Sequence, residues 1–323
     1  MVMDEVIKNF TKQFEYSPEI INGGNLKKYK KFIVVGMGGS NLAPDLIKLR
    51  NPKLDIYAHR NYGLPDWDKK VLKESLIILN SYSGNTEEVL ESFKIVNKNK
   101  YPMVAVSTGG KLLKLAMKYK KPYIQMPDEG IQPRMALGFN MVAILKAMGE
   151  TAMVNELKKL TISLKPHEIE RVGKSLARKL RDHVPVIYSS KKNFPIAYNW
   201  KVKFNETAKI PAFTNKFPEL NHNEMTGFDV VSKTAHLSNV FSFVFLKDMT
   251  DNPKISKRMN VTERLYRERR LPVEVAMLNG KSPFHKMFYS LLLADWTAYH
   301  TAKEYGVDPE AVPMVEDFKK LIK

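Results

Sequence analysis

Two segments of this chain carry side chains able to move protons, at spacings an ordinary surface does not require. "KVKFNETAKIPAF" sets Asn205, Glu206 and Lys209 together at a helix end, and "ELNHNEMTGF" follows with Glu219, His222 and Glu224. His222 lies sixteen residues after Glu206. A carboxylate and an imidazole are the usual pair for general acid–base work near neutral pH. Far upstream, "LNSYSGNTEEVLESF", Leu79 to Phe93, crowds serines, a glycine, an asparagine and a threonine between a strand-like run and a helical one. The free N–H groups of a helix start, with the helix dipole behind them, make an anion site. Ser81, Ser83 and Thr86 add hydroxyl donors, and Gly84 lets backbone approach a ligand closely. A helix cap needs one such residue, not five. The loop holds no lysine, so the anion would be gripped by neutral donors, which suits a phosphate monoester.

"GMGGSN", Gly36 to Asn41, is a second glycine-rich turn after a strand. It fails as a dinucleotide fingerprint because Asn41 stands where the third glycine belongs, and it lacks the G-K-[ST] of a P-loop. By itself it is a weak signal; beside the Ser81 loop in one sheet it is expected to form the other wall of a sugar-phosphate pocket, with Gly39 and Ser40 nearest the ligand. A glutamate and a histidine next to a phosphosugar are what aldose–ketose isomerisation demands. The ring is opened by acid–base catalysis, a base moves a proton between C1 and C2 through a cis-enediol(ate), and a cation or donor steadies the charge. Each residue also has an ordinary reading. Glu206 can be a surface helix glutamate, His222 a structural imidazole, Arg134 a solvated arginine at a helix start, and Lys319 part of an exposed amphipathic tail. His222-x-Glu224 can be read as metal ligands, although no third ligand stands at a matching spacing.

The elements that must position these residues are an alternation of short β-rich runs and amphipathic helices, the pattern of parallel sheets with helical crossovers. "KFIVVGMG", "LDIYAHR", "SLIILNS", "YPMVAVST" and "KPYIQMP" read as strands, with helices near 42–50, 86–98 and 111–118 and a longer one from Pro133 to about Met148. A charged helical stretch divided by Pro166 follows, and the pattern restarts with strands "HVPVIYSS", "NVFSFVFLKD" and "LPVEVAMLNG" and last helices near 283–305 and 312–323. The expected architecture is α/β, two doubly wound parallel-sheet domains with a C-terminal helix, divided as residues 1–150 and 151–323. Both halves share a strand–Ser/Gly loop–helix logic, in "VVGMGGSN" and "NSYSGNTEE" and again in "IYSSKKNF". Ligands gather at the carboxyl ends of such strands, where all these loops fall.

The 323 residues suffice for two ordinary cores, and 44% apolar with 10% aromatic composition is that of a globular protein. No apolar run is long enough to span a bilayer, and the acidic start "MVMDEVIKNF" is no secretory signal, so a cytoplasmic enzyme is expected. With no cysteine there are no disulfides, thiolate metal sites or cysteine nucleophiles. The net charge of +18 raises nucleic-acid binding as an alternative. The positive charge sits mostly in scattered lysine pairs, however, and the densest basic segment, "KISKRMNVTERLYRERR", is interrupted by acids at helical spacing.

The serine-rich loops resemble those of the sugar isomerase (SIS) domain, and the ordered set "GMGGSN", "SYSGNTEE", "QPRMALGF", "NETAK", "ELNHNE" and "GVDP" with a lysine-bearing last helix is similar to the bifunctional phosphoglucose/phosphomannose isomerase family over nearly the whole chain. The resemblance implies two SIS domains, each a three-layer α/β/α sandwich, and interconversion of fructose 6-phosphate with glucose 6-phosphate and mannose 6-phosphate. It implies Glu206 as the base shuttling the C1/C2 proton, and His222 as the histidine of ring opening, reaching in from the partner subunit of a homodimer. It also implies Arg134 as the arginine that steadies the enediolate and Lys319, ten residues after Pro309, as the ring-opening lysine, with Lys320 the alternative register. Gly39, Ser40, Ser81, Ser83 and Thr86 match the substrate and phosphate contacts, and neither a metal nor an organic cofactor is implied. Two departures stand out. Dual-specificity members carry a threonine seven residues before that lysine, and glucose-specific relatives a glutamine, where this chain has Val312; the family's "GD-x-x-S" is "ADWT" from Ala294 to Thr297. Two other functions fit parts of the pattern: a phosphosugar-sensing SIS protein, which would not need Glu206, His222 and Lys319, and a different phosphosugar isomerase or epimerase, which is typically single-domain.

Overall fold

Runs such as "FIVV", "LIILN" and "MVAVS" have no polar face to offer solvent, so they become strands covered on both sides. The computed structural model describes residues 2–24 and 26–322. The chain opens with helix α1 (Met3–Lys8) and divides into two units, Asn9–Leu164 and, with Val2–Lys8, the described residues from Lys165 onward.

The first unit holds β1 (Lys31–Val35), α2 (Ala43–Arg50), β2 (Asp55–His59), α3 (Lys69–Glu74), β3 (Ser75–Asn80), α4 (Glu87–Lys98), β4 (Met103–Ser107), α5 (Gly110–Lys118), β5 (Tyr123–Gln125), α6 (Leu137–Met148), α7 (Thr151–Lys158) and the single turn α8 (Leu160–Ser163). All strands are parallel, in the order β2-β1-β3-β4-β5, with Val35 level with His59 on one side and Leu79 on the other. Ile33, Val35, Ile77 and Leu79 pack against Val89, Phe93 and Val96 of α4 and Leu112 of α5. Phe32, Val34, Leu76 and Ile78 point the other way by the pleat and are equally buried, on the side where α6 meets β3 and α2. The strand order reverses between β1 and β3, so the carboxyl ends of those strands flank the crevice where doubly wound sheets take ligands.

The second unit repeats the plan with α9 (Pro166–Lys179), β6 (Val184–Ser190), α10 (Phe194–Lys203), β7 (Phe213–Phe217), α11 (Ala235–Ser238), β8 (Phe241–Lys247), α12 (Pro253–Glu268), β9 (Val273–Met277), α13 (Pro283–Tyr305) and α14 (Pro313–Leu321). The parallel order is β7-β6-β8-β9. Tyr188, Phe217, Phe243, Phe245 and Tyr266 form its aromatic core. The long helix α13 lies against α9 where Gly173 removes a side chain: a Cβ there would stand 2.4 Å from the Trp296 Cβ. The Trp296 indole N–H donates to the Pro166 carbonyl at 2.8 Å, fastening the two helices. No residue of α14 is buried.

Candidate active site

The first unit gathers its sequence-predicted residues at the carboxyl ends of β1 and β3. After β1 the chain turns through Gly38, at φ +51°, into a short 3₁₀ turn Gly38–Asn41. The Tyr82 N–H donates to Ser40 Oγ at 2.9 Å, and Asn80 Nδ2 donates to the Ser40 carbonyl at 2.5 Å, so the glycine turn and the serine loop are tied together. Within the serine loop, Ser81 Oγ and Thr86 Oγ1 are 2.8 Å apart and Gly84 N–H donates to Ser81 Oγ at 3.1 Å. Thr86 therefore does not cap α4 with its hydroxyl. The capping explanation of the loop is the one the structure removes. Ser81 and Ser40 are buried, whereas Ser83 is exposed, its hydroxyl accepting from the Asn85 N–H at 3.3 Å. Gly84 has φ +69°, and a Cβ on it would fall 1.9 Å from the Gly109 carbonyl oxygen.

Arg134 joins this group. The segment from Pro133 to Met135 forms a 3₁₀ turn, not the first turn of the helix expected there, and α6 starts only at Leu137. The cause is the close pass of this turn over Gly39, where a Cβ would lie 2.6 Å from the Arg134 nitrogen. Arg134 is only 2% exposed, so the reading of it as a solvated arginine is corrected. The backbone of a buried arginine thus passes directly over the glycine turn. Tyr82, also buried, has its phenol pushed up to about 12, by burial and then by the charges of Asp128 and Glu129. Sequence reasoning passed over Asn80 and Tyr82; their signal was position, at the end of a strand with no exposed residue and just beyond it.

The second unit holds Glu206, His222, Lys319 and Lys320. Past Lys203 the helix α10 widens into a π-turn, Phe204–Ala208, closed by the Lys209 N–H on the Phe204 carbonyl, with Lys209 left-handed at φ +59°. Such widenings are rare and concentrate at functional sites. Glu206 rides on this turn, half-buried, and Lys209 Nζ donates to its carbonyl at 2.5 Å. The turn is anchored from behind by Lys203, whose ammonium meets Asp295 Oδ1 at 2.5 Å with both side chains under 5% exposed. His222 ends a 3₁₀ turn, Glu219–His222, and is exposed. Glu224 does not join it as a metal ligand: its oxygens take bonds from Tyr188 and Asn215, and among the described residues no group of three His, Cys, Asp or Glu is placed to hold a metal. Lys319 and Lys320 lie on exposed α14, paired to Glu316 at 2.9 Å and Asp317 at 3.1 Å. No described hydrogen bond or ion pair joins His222 to Lys319.

The second unit's own crevice, between β6 and β8, is filled from within. The loop "SSKKN" that resembles the first unit's serine loop spends Ser190 Oγ on Asp251 Oδ1 at 2.8 Å, and Asn193 Nδ2 on Asp248 at 3.1 Å and Asp251 at 3.2 Å. Lys286 Nζ donates to Asp248 Oδ2 at 2.7 Å. Burial pushes the Asp248 carboxyl up, but the bonds from Lys286, Thr250 and Asn193 outweigh it and hold it well below the usual carboxylate range. Burial holds the Asp251 carboxyl above that range, against the bond from Ser190. Ser190, Asn193 and Lys286 are thus engaged by the chain's own carboxylates, with Lys192 paired to them as well, so the shared strand–loop–helix logic does not make a second open cradle.

Comparison with known proteins supplies the decisive likeness. A protein of Thermoplasma volcanium named bifunctional phosphoglucose/phosphomannose isomerase is 32% identical over 302 residues, covering 91% of this chain and 92% of its own. The chain belongs to the bifunctional phosphoglucose/phosphomannose isomerase family. The Aquifex aeolicus protein of the same name is 28% identical, covering 99% of this chain and 98% of its own. The model of the bacterial phospho-glucose isomerase C-terminal SIS domain matches residues 169–322, the stretch bearing Glu206, His222 and Lys319. The fold likeness extends to tagatose-6-phosphate ketose/aldose isomerase from Escherichia coli, with TM-score 0.70 at 14% identity over 95% of this chain and 94% of that one. The likeness to phosphoglucose/phosphomannose isomerases thus spans the serine and glycine loops of the first unit as well as the segments bearing Glu206, His222 and Lys319 in the second. Among the described residues, no helix is long and apolar enough to cross a membrane.

Proposed function

We propose that this protein is an aldose–ketose isomerase that interconverts fructose 6-phosphate with glucose 6-phosphate and mannose 6-phosphate. Kinship with isomerases of that name along more than nine-tenths of the chain carries the reading. In it the 6-phosphate sits against Ser81, Ser83 and Thr86 in the first unit, with Gly39 and Ser40 beside the sugar. The donor-rich, lysine-free loop supports that assignment. His222 and Lys319 open the ring: one delivers a proton to the ring oxygen as the other removes the proton of the C1 hydroxyl, so the C1–O5 bond breaks and a carbonyl forms at C1. Glu206 then takes the proton from C2, the electron pair moves to make the C1–C2 double bond, and the carbonyl oxygen becomes the enediolate oxygen. The buried Arg134 cation offsets that charge. Moving the O2 hydroxyl proton to O1 and returning the carbon proton to C1 makes the carbonyl at C2 and gives the ketose; returning the carbon proton to either face of C2 gives glucose or mannose 6-phosphate. No step is assigned to a metal or an organic cofactor. The enzyme acts as a cytoplasmic homodimer in which each His222 serves the partner's site, consistent with the exposure of that residue.

The test is Glu206→Gln, assayed with fructose 6-phosphate, glucose 6-phosphate and mannose 6-phosphate side by side. Loss of a general base lowers kcat by about 10²–10⁴-fold, while calorimetric affinity for the substrate should hold within a few-fold. A variant with near-normal kcat would sink the mechanism.

A further inference from the structure

Every polar side chain of the segment "ELNHNE" but one is spent inside the second unit. Asn221 Nδ2 donates to Thr262 Oγ1 on α12 at 2.8 Å, and Asn223 Nδ2 donates to Glu219 Oε1 at 3.0 Å. Glu224 is held from both ends of its carboxylate. Tyr188 Oη, from β6, donates to Oε1 at 2.5 Å, and Asn215 Nδ2, from β7, donates to Oε2. Its own N–H donates to Asn223 Oδ1 at 2.5 Å, and Asn223 takes the unusual φ −145°, ψ −66° between two 3₁₀ turns. The anchors therefore stand one residue before His222 and one and two residues after it, whereas His222 itself has no described polar partner and faces solvent. Tyr188 is fully buried, so the bond it gives Glu224 starts from a rigid strand. A loop this short, fixed to two adjacent strands and a helix, leaves the backbone little freedom in the direction along which it presents its one outward imidazole.

We propose that Glu224 is the positioning residue for His222: its bidentate seat on Tyr188 and Asn215 sets the direction in which the imidazole is presented. The inference rests on the isomerase reading, in which His222 serves ring opening. It differs from the metal-ligand interpretation of the same motif, since the carboxylate faces the sheet and not the imidazole's surroundings.

Donor and acceptor pattern makes the seat testable by exchange. In Glu224→Gln the amide can accept from Tyr188 but then sets its NH₂ against the Asn215 NH₂. Turning Asn215 over would break the bond its Oδ1 takes from the Lys216 N–H at 2.8 Å. Asn215→Asp alone opposes two carboxylates. The double variant Asn215→Asp/Glu224→Gln restores every bond with the charge moved across. Ring opening alone is read by magnetisation exchange between the α and β anomers of glucose 6-phosphate. Each single variant should slow that exchange by about a hundredfold, the effect of misplacing a catalytic group by an ångström, with KM unchanged, and the double variant should recover to within about threefold. Tyr188→Phe keeps the carboxylate and its Asn215 bond, and should lose about tenfold even if the other singles fold poorly. Folded single variants with wild-type exchange, or a folded double variant no better than the worse single, overturn the positioning role while leaving the isomerase reading intact. A His222→Ala variant with wild-type exchange removes His222 from ring opening, and the inference goes with it. A wild-type protein without turnover on any of the three sugar phosphates overturns the isomerase reading itself.

Discussion

Replacing Gly84 with alanine should disable the proposed phosphate cradle at a stability cost the first unit can bear. At φ +69° an L residue is strained by about 1–2 kcal/mol. Gly149, the left-handed cap of α6 at φ +77° with nothing within 4 Å of its missing Cβ, offers the same strain without a neighbour and serves as the control. At Gly84 the new methyl would lie 1.9 Å from the Gly109 carbonyl oxygen, whereas real Cβ contacts stay above 3.0 Å, so that backbone must withdraw by about 1.1 Å. It cannot do so alone: the Thr108 N–H donates to the Tyr82 carbonyl at 3.0 Å and the Leu112 N–H to the Gly84 carbonyl at 2.9 Å, so the serine loop is dragged with it. Relieving such a clash adds about 1–3 kcal/mol to the strain, a total below the 5–15 kcal/mol of an ordinary domain. A displacement of an ångström costs about a hundredfold in rate, so kcat/KM for fructose 6-phosphate should fall about that far, mainly through KM. Gly149→Ala should stay within about twofold in kcat/KM, as expected of a substitution remote from the site, while losing about 1–2 kcal/mol in urea titration. If the two variants show the same kinetics, the serine loop does not grip the phosphate.

Two further outcomes concern the second unit. Asp295→Asn should cost about 3–5 kcal/mol in urea titration, because it strands a buried Lys203 ammonium directly behind the π-turn, while Lys203→Met/Asp295→Leu should recover most of the loss; a deficit under about 1 kcal/mol refutes the anchoring role. Asp248 has a folded-state pKa below its unfolded value, so its contribution is full above the unfolded carboxylate value of about 3.9 and is lost as pH falls below it. Asp248→Asn should therefore be less stable than wild type by about 3 kcal/mol at pH 7, with the gap closing only below about pH 4. A gap that persists unchanged to pH 2 contradicts the assignment.

What could be read from sequence was what is local in it. β1, β3 and β4 announce themselves as apolar runs ending in glycine or serine, and the cradle residues lie within a few positions of those ends. β7, "FTNKF", went unnoticed because it is a half-buried edge strand without an apolar face. The helix end at Glu206 was legible, but its π widening was not, since it depends on Lys209 adopting a left-handed backbone that favours glycine or asparagine. At Pro133 proline suits both a helix start and a 3₁₀ turn, and only the approach of Gly39, almost a hundred residues earlier, decides between them. The filling of the second crevice was the furthest from view: Ser190 and Asp251 stand 61 residues apart, and no periodicity links them.

That filling also explains how one topology serves two tasks. Both units reverse their strand order beside the first strand, and both place a small-residue loop and a helix there. In the first unit the loops bond chiefly through neutral hydroxyls and amides, and Gly39 and Gly84 hold open the space that side chains would fill. In the second unit the same position is closed by Asp248 and Asp251, which take up the loop's donors and whose partners Ser190 and Asn193 fix the start of α10. From that fixed start α10 runs to Lys203, is pinned again by Asp295, and only then opens into the turn bearing Glu206. The second crevice, in giving up ligand binding, has become the footing of the helix that aims the proposed base.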